Sequence, residues 1–155
     1  VYDNTILPSL DKLSNKVGAV NSKQSMKVAE KYKEILNIKT PSMQQKVKQL
    51  SGGNQQKIVL AKWLIQNPDV LIFDEPTRGI DVGAKTEIYK LVAKLAEEGK
   101  AIIFISSEMP EILGMSDRVI VFYEGKKQGE LKKGEATQEK IMMYASDVNE
   151  GGTEE

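Results

Sequence analysis

Two adjacent carboxylates, Asp74 and Glu75, directly follow the apolar run 70–73. The run has no polar alternation, which predicts a strand of a parallel sheet that is buried on both faces. Ligands bind at the carboxyl edge of such sheets. There, one acid can support Mg²⁺ beside nucleotide phosphates and the next can orient or deprotonate a water molecule. Two solvated turn acids would give the same sequence pattern.

The segment 50–57, Leu-Ser-Gly-Gly-Asn-Gln-Gln-Lys, is a second candidate for phosphate chemistry. Ser51 is a good helix N-cap, and Gly52 and Gly53 would let a phosphate approach the backbone closely. The helix behind them offers free N–H groups and the positive end of its dipole. We expect Gly53 at an exposed helix start. An ordinary turn and cap is the alternative, and the nearby Asp-Glu strand weakens it.

Helical and strand patterns alternate along the chain, which predicts an α/β class with a largely parallel sheet. The predicted helices cover 22–36, 51–66, 81–98 with Asp81 as the cap, a short stretch from Pro110, and 137–145. The predicted strands cover 70–73, 101–106, 119–123 and 128–131. Residues 1–21 are expected to be an irregular lead-in, and the acidic stretch 146–155 a disordered tail.

Composition narrows the function classes. The 155 residues carry 22 basic and 22 acidic side chains, a net charge of zero that disfavours binding to nucleic acid through bulk positive charge. The chain has no Cys and no His, which excludes disulfides, thiolate metal sites and a Ser-His-Asp triad. The apolar runs are too short to span a bilayer and no signal-peptide pattern is present, so we expect a cytoplasmic protein.

Three linked motifs resemble those of ATP-binding cassette (ABC) ATPases. Segment 50–57 resembles the signature sequence, 70–75 resembles the Walker B strand, and 77–81 resembles the D-loop. Their variants are similar to those in the second cassette of bacterial importers of ribose, galactose and xylose, over residues 21–145. The resemblance implies part of a P-loop NTPase (ABC ATPase) fold. In that fold, 22–66 is the helical subdomain with the signature and 67–145 is the C-terminal part of the ATPase core.

The resemblance also implies roles for individual residues. Glu75 resembles the catalytic base for attack on the γ-phosphate of ATP, and Asp74 the acid that supports Mg²⁺. Asp81 resembles the D-loop acid that communicates across the cassette interface. The signature residues would contact ATP held by an opposing cassette; they are Ser51, Gly52 and Gly53.

Two departures from the family pattern stand out. Ser107 occupies the position of the switch histidine, which contacts the γ-phosphate. No Gly-x-x-x-x-Gly-Lys-Ser/Thr loop occurs in the chain, so a nest for the α- and β-phosphates is missing. We therefore expect the C-terminal part of a cassette, inactive alone, whose phosphate loop lies in the N-terminal remainder of the same polypeptide.

The resemblance implies an ATP hydrolase that drives monosaccharide import. Its expected partners are an opposing cassette, transmembrane permease subunits and, indirectly, a periplasmic sugar-binding protein, with no nucleic acid. Its expected location is the cytoplasmic face of the inner membrane, as a peripheral protein. The alternatives are a non-transport ABC ATPase that acts on DNA or ribosomes, and a stand-alone interaction module.

Overall fold

A computed structural model describes residues 1–15 and 18–146, so nearly all of the predicted acidic tail lies outside the described residues. The helices are α1 (Tyr2–Ile6), α2 (Leu10–Leu13), α3 (Ser22–Ile35), α4 (Gly52–Leu64), α5 (Val82–Glu97), α6 (Met109–Met115) and α7 (Gln138–Tyr144). The strands are β1 (Val70–Asp74), β2 (Ala101–Ile105), β3 (Arg118–Tyr123) and β4 (Lys126–Lys132). No helix in the described residues is both long and apolar enough to cross a bilayer.

The chain forms two compact units. The first comprises Val1–Ile72 and Pro76–Ile103, and the second comprises Phe73–Glu75 and the residues from Phe104 onward. The first unit therefore holds the predicted signature and D-loop, and the second holds the Asp-Glu pair. The predicted division into 22–66 and 67–145 remains a prediction.

Helices α3, α4 and α5 belong to the first unit and form close to their predicted ranges. Asn21 caps α3 through its side-chain oxygen, which accepts the N–H of Gln24 at 3.1 Å. Asn37 follows the helix with a φ of +48°, which ends it. The buried faces of α4 and α5 include Ile58 and Ile88, each 1% exposed.

The expectation of an irregular lead-in over 1–21 is wrong for residues 2–13. This stretch forms α1, a 3₁₀ turn over Leu7–Ser9, and α2. Helix α1 contacts α3 and α4, the Ile6 side chain is buried, and the Tyr2 hydroxyl lies 2.6 Å from that of Ser25. Packing stabilises helices that are too short to form on their own.

Strands β1 and β2 pair in parallel, and α5 connects them. Ala101 donates its N–H to the Asp69 carbonyl, and Glu75 donates its N–H to the Ile105 carbonyl, both at 2.9 Å. The expectation that β1 is buried on both faces is wrong: burial alternates along it, and Val70 and Ile72 are 56% and 64% exposed. A face is buried only where another layer covers it, and an apolar run does not specify that layer.

The second unit contains an antiparallel hairpin of β3 and β4. The turn between them places Glu124 and Gly125 at φ values of +47° and +74°, the left-handed pair of a tight hairpin turn. Ile141 of α7 packs with Val119, Val121 and Leu131 of the hairpin in one buried cluster.

Candidate nucleotide site

The signature segment, defined here as residues 51–53, forms the start of α4. Ser51 is the N-cap, with extended backbone and its carbonyl accepting the N–H of Gln55 at 2.9 Å. Ser51 and Gly52 are exposed. The first-turn N–H groups of a helix have no partner within the helix and carry partial positive charge. The segment therefore presents donors to solvent, which suits an anionic ligand.

Asn54 orients the hydroxyl of Ser51. The Asn54 side-chain oxygen accepts the N–H of Lys39 at 2.7 Å, which turns its NH₂ group toward Ser51. That group donates to Ser51 Oγ at 2.9 Å. A hydroxyl that accepts one bond still has its own proton to donate. Sequence reasoning did not single out Asn54, although an amide three residues after an N-cap serine is a local signal for such a contact.

Gly53 differs from expectation because it is buried, not exposed. A Cβ at this position would lie 2.6 Å from the Cβ of Ala84 on α5. Gly52 is different: a Cβ there would lie 3.6 Å from the Gly79 carbonyl, an ordinary contact. Gly53 therefore permits the close approach of α4 and α5, while Gly52 faces outward.

Asp81 lies beside the signature segment, in the same unit. Its Oδ1 accepts the N–H of Ala84 at 2.9 Å, so it caps α5 as predicted. The other oxygen, Oδ2, lies 3.7 Å from the position that a Cβ of Gly53 would take. Gly79, with a φ of +73°, provides the left-handed turn in the preceding loop. The structure thus brings the signature segment and Asp81 together.

The carboxylate edge, defined here as Asp74, Glu75 and Ser107, lies in the second unit. Asp74 ends β1 and is exposed; Glu75 follows it, half-buried, with a φ of +46°. The bond from Glu75 N–H to the Ile105 carbonyl aligns the ends of β1 and β2. Ser107 is exposed two residues after β2 ends. The three residues therefore follow adjacent parallel strands at their carboxyl ends.

The carboxylate edge fits a magnesium ion that is shared with a nucleotide. No three acidic, histidine or cysteine side chains converge into a metal-binding cluster in the described part of the chain. Mg²⁺ in nucleotide sites needs only one or two carboxylates, because phosphate oxygens and water complete its six ligands. The exposed Asp74 carboxylate can supply one such ligand.

Sequence reasoning missed an ion pair behind the signature segment, between a buried lysine and an exposed glutamate. Lys57, 6% exposed, is paired with Glu87 of α5 and donates to the Asn37 carbonyl at 3.0 Å. The hydrogen bond from Lys57 holds the pKa of Glu87 below its ordinary value of 4.5. These residues line a cavity of about 250 Å³ among α3, α4 and α5. The only sequence signal was a lysine on the apolar side of a predicted helix.

Solved ATP-binding cassettes share this fold. One, solved as a dimer in a post-hydrolysis state bound to ADP and Pi, has a TM-score of 0.72 and 25% identity, over 84% of this chain and 55% of that chain. A cassette of another ABC transporter has a TM-score of 0.72 and 21% identity, over 96% of this chain and 59% of that chain. The predicted fold class is therefore confirmed.

Curated relatives match nearly the whole chain. The xylose import ATP-binding protein of Thermoanaerobacter pseudethanolicus is 58% identical over 94% of this chain and 29% of its own length. The ribose import ATP-binding protein of Clostridium perfringens is 54% identical over 96% of this chain and 30% of its own length. The galactose/methyl galactoside import ATP-binding protein of Clostridium tetani is 54% identical over 94% of this chain and 29% of its own length. The chain thus spans about three tenths of these relatives.

A family model described as ABC transporter matches residues 1–78. The chain belongs to the ABC transporter family.

Proposed function

We propose that the chain is part of an ATP-binding protein that couples ATP hydrolysis to the import of a monosaccharide of the ribose, galactose or xylose type. The observation that carries this proposal is the exposure of Ser51 and Gly52 in the signature segment, in a chain more than half identical to three sugar-import ATP-binding proteins. The complete protein, in this proposal, supplies the phosphate loop from outside the present sequence. The share of each relative that the chain covers supports that view.

The signature segment, in this proposal, contacts ATP held by an opposing cassette. Ser51 donates its hydroxyl proton and the first turn of α4 donates its N–H groups to the γ-phosphate. The helix end is equivalent to about half a positive charge, so it favours an anion there. Asp81, which caps the neighbouring helix, transmits closure of the cassette interface to the loop that follows β1.

The carboxylate edge, in this proposal, serves hydrolysis. Asp74 supplies a hard oxygen ligand for Mg²⁺, and the ion neutralises charge on the phosphates when it is bound. Glu75 orients the attacking water and accepts its proton. Ser107 offers a hydroxyl donor where the family has a histidine. The chain's part in catalysis is therefore positioning and proton transfer.

The proposed assembly contains an opposing cassette and transmembrane permease subunits, to which a periplasmic sugar-binding protein delivers the sugar. The ATP-binding protein lies at the cytoplasmic face of the inner membrane as a peripheral subunit. Similarity to import proteins supports this assembly over the two alternatives, an ABC ATPase that acts on DNA or ribosomes and a stand-alone interaction module. The zero net charge of the chain supports the exclusion of nucleic acid.

An ATPase assay of the complete protein separates these functions. The protein is reconstituted with its permease in lipid vesicles, and hydrolysis is measured with sugar-loaded binding protein, with DNA and with ribosomes. We expect severalfold stimulation by the loaded binding protein alone, and none in a Glu75→Gln variant. Stimulation by DNA or ribosomes, without a response to the binding protein, would refute the proposed function.

A further inference from the structure

Glu111 is a buried acid that the proposed chemistry does not use. It is the third residue of α6, after Met109 and Pro110, and is 4% exposed. A buried carboxylate is costly unless donors satisfy it. One donor is the Ser106 hydroxyl, which lies 2.7 Å from Glu111 Oε2. The acid therefore reaches back from its helix to the residue just after β2.

The Ser106 hydroxyl connects Glu111 to the main chain, because it donates to the Glu111 carboxylate and also accepts a backbone N–H. Its Oγ accepts the N–H of Glu108, the N-cap of α6, at 3.0 Å. The Glu108 carbonyl in turn accepts the Glu111 N–H at 3.0 Å. In a capping box, a glutamate at this helix position bonds the N-cap N–H directly. Here the hydroxyl of Ser106 stands between the two groups and closes a ring around residues 106–108.

Ser107 is the middle residue of this ring and its side chain is exposed. A serine side chain is short and has one rotatable carbon–carbon bond, so it reaches less far than histidine and depends more on where its backbone is held. A catalytic group that is misplaced by about 1 Å can lower the reaction rate about 10²-fold. The ring gives the backbone at Ser107 the rigidity that a short donor needs.

We propose that Glu111 is a positioning residue that acts through the Ser106 hydroxyl to hold Ser107 in place for the γ-phosphate of ATP. The proposal rests on the proposed function, in which Ser107 takes the place of the switch histidine. It adds that the donor works only when a buried acid, outside the three recognised motifs, fixes the loop beneath it. Glu111 itself does not touch the nucleotide.

A double-mutant cycle in the complete protein tests this coupling. Steady-state ATPase activity is measured for Ser107→Ala, Glu111→Ala and the double variant, with Glu97→Ala on α5 as an exposed-acid control. We expect Glu111→Ala to lower kcat about 10- to 100-fold with KM for ATP within about threefold of wild type. In the Ser107→Ala background, Glu111→Ala should have no further effect. Glu111→Gln, which still accepts from Ser106, should keep most of the activity.

Amide hydrogen exchange at Glu108, measured without nucleotide, reports on the ring independently of catalysis. Its protection should fall at least tenfold in Glu111→Ala and persist in Glu111→Gln. Equal effects of Glu111→Ala with and without Ser107 would overturn the inference, because they would show a role in folding alone. Wild-type turnover in Ser107→Ala would overturn it too. A wild-type protein without ATPase activity would instead refute the proposed function.

Discussion

At the scale of single residues, Glu75 is held in an unusual backbone conformation. Its φ of +46° is uncommon for a residue other than glycine and costs of order 1–3 kcal/mol. The bond from its N–H to the Ile105 carbonyl offsets part of that cost. Conformations of this kind cluster at functional sites. The strain is therefore consistent with the role of general base that we propose for Glu75.

Glu75→Gln should lower hydrolysis about 10²–10⁴-fold while ATP binding persists, because glutamine keeps the shape of the side chain but cannot take a proton. Single-turnover hydrolysis with the other site disabled measures this loss. Glu124→Gln is a matched control, since Glu124 has the same left-handed backbone at a hairpin turn. Undiminished turnover in Glu75→Gln would contradict the assignment.

The two glycines of the signature segment should respond differently to alanine. At Gly53 the new Cβ would lie 2.6 Å from Ala84, so Gly53→Ala should destabilise the protein by about 1–3 kcal/mol. At Gly52 the new Cβ would make only ordinary van der Waals contacts, the nearest at 3.6 Å, and Gly52→Ala should change stability by less than about 1 kcal/mol. Urea unfolding of both variants measures the difference. Equal stabilities would show that α4 and α5 do not pack closely at Gly53.

At the scale of elements, the ion pair of Lys57 and Glu87 ties α4 to α5. The pKa of Glu87 is lowered in the folded protein, so this carboxylate stabilises the fold above its unfolded pKa of about 4.5. That stabilisation is lost as the pH falls through the lowered folded pKa. Because the pKa of Glu87 is lowered, its contribution to the stability of the fold should be lost only at acidic pH.

Glu87→Gln should therefore destabilise the protein at pH 7, by about 0.5–1 kcal/mol because the Glu87 side chain is 42% exposed and its charge is screened by solvent, and the difference from wild type should shrink below pH 4.5. Denaturant unfolding at a series of pH values checks this convergence. Glu97→Gln, on the same helix and exposed, serves as the control. A difference that stays constant from pH 7 to pH 3 would show that the Glu87 charge does not stabilise the fold.

The sequence predicted the elements whose signals are local. Helix α5 has its cap at Asp81 and its stop at Gly99, and β1 and β2 are short β-favouring runs. The exposure of individual side chains and the close contacts between helices depend on packing, and the sequence did not predict them. Val82 carries an apolar signal but is 79% exposed, because it is the first residue of its helix. The sequence predicts Gly53 at an exposed helix start, and only the neighbouring helix shows that it must be glycine.

For the candidate site too, the sequence predicted the residues within contiguous motifs but not the residues that contact them in space. The motifs identified the signature segment, Asp81 and the carboxylate edge, because each motif is contiguous in sequence. Asn54 and Glu111 were missed, although each touches a motif residue or the loop that contains one. Their roles depend on which side chain a hydroxyl or amide meets in space, and spacing alone does not specify that.

At the scale of the whole molecule, the 155-residue chain should bind Mg-ATP only weakly. It has no Gly-x-x-x-x-Gly-Lys-Ser/Thr loop, so the backbone nest and lysine that hold most of the triphosphate are missing. We expect a Kd in the millimolar range or weaker, equivalent to about −4 kcal/mol. Titration calorimetry on the purified chain measures it. Micromolar binding would show that the nucleotide site has been misplaced.

In the proposed function, the signature segment meets ATP held by another cassette, and the exposed Gly52 is the position at which to test this contact. Gly52→Asp places a negative charge at an exposed helix start, where the positive end of the helix dipole stabilises an acidic side chain. Repulsion from a phosphate at about 4 Å costs about 4 kcal/mol at an effective dielectric constant of 20. Gly52→Ala is the matched control, because it adds a Cβ without the charge.

The deciding measurement is ATP-driven sugar uptake into vesicles that contain the complete transporter, with circular dichroism of each variant to verify folding. We expect Gly52→Asp to fold normally and to lose uptake by at least about 10²-fold, while Gly52→Ala should stay within about tenfold of wild type. Normal uptake by a normally folded Gly52→Asp protein would show that the signature segment does not meet ATP and is a helix cap only.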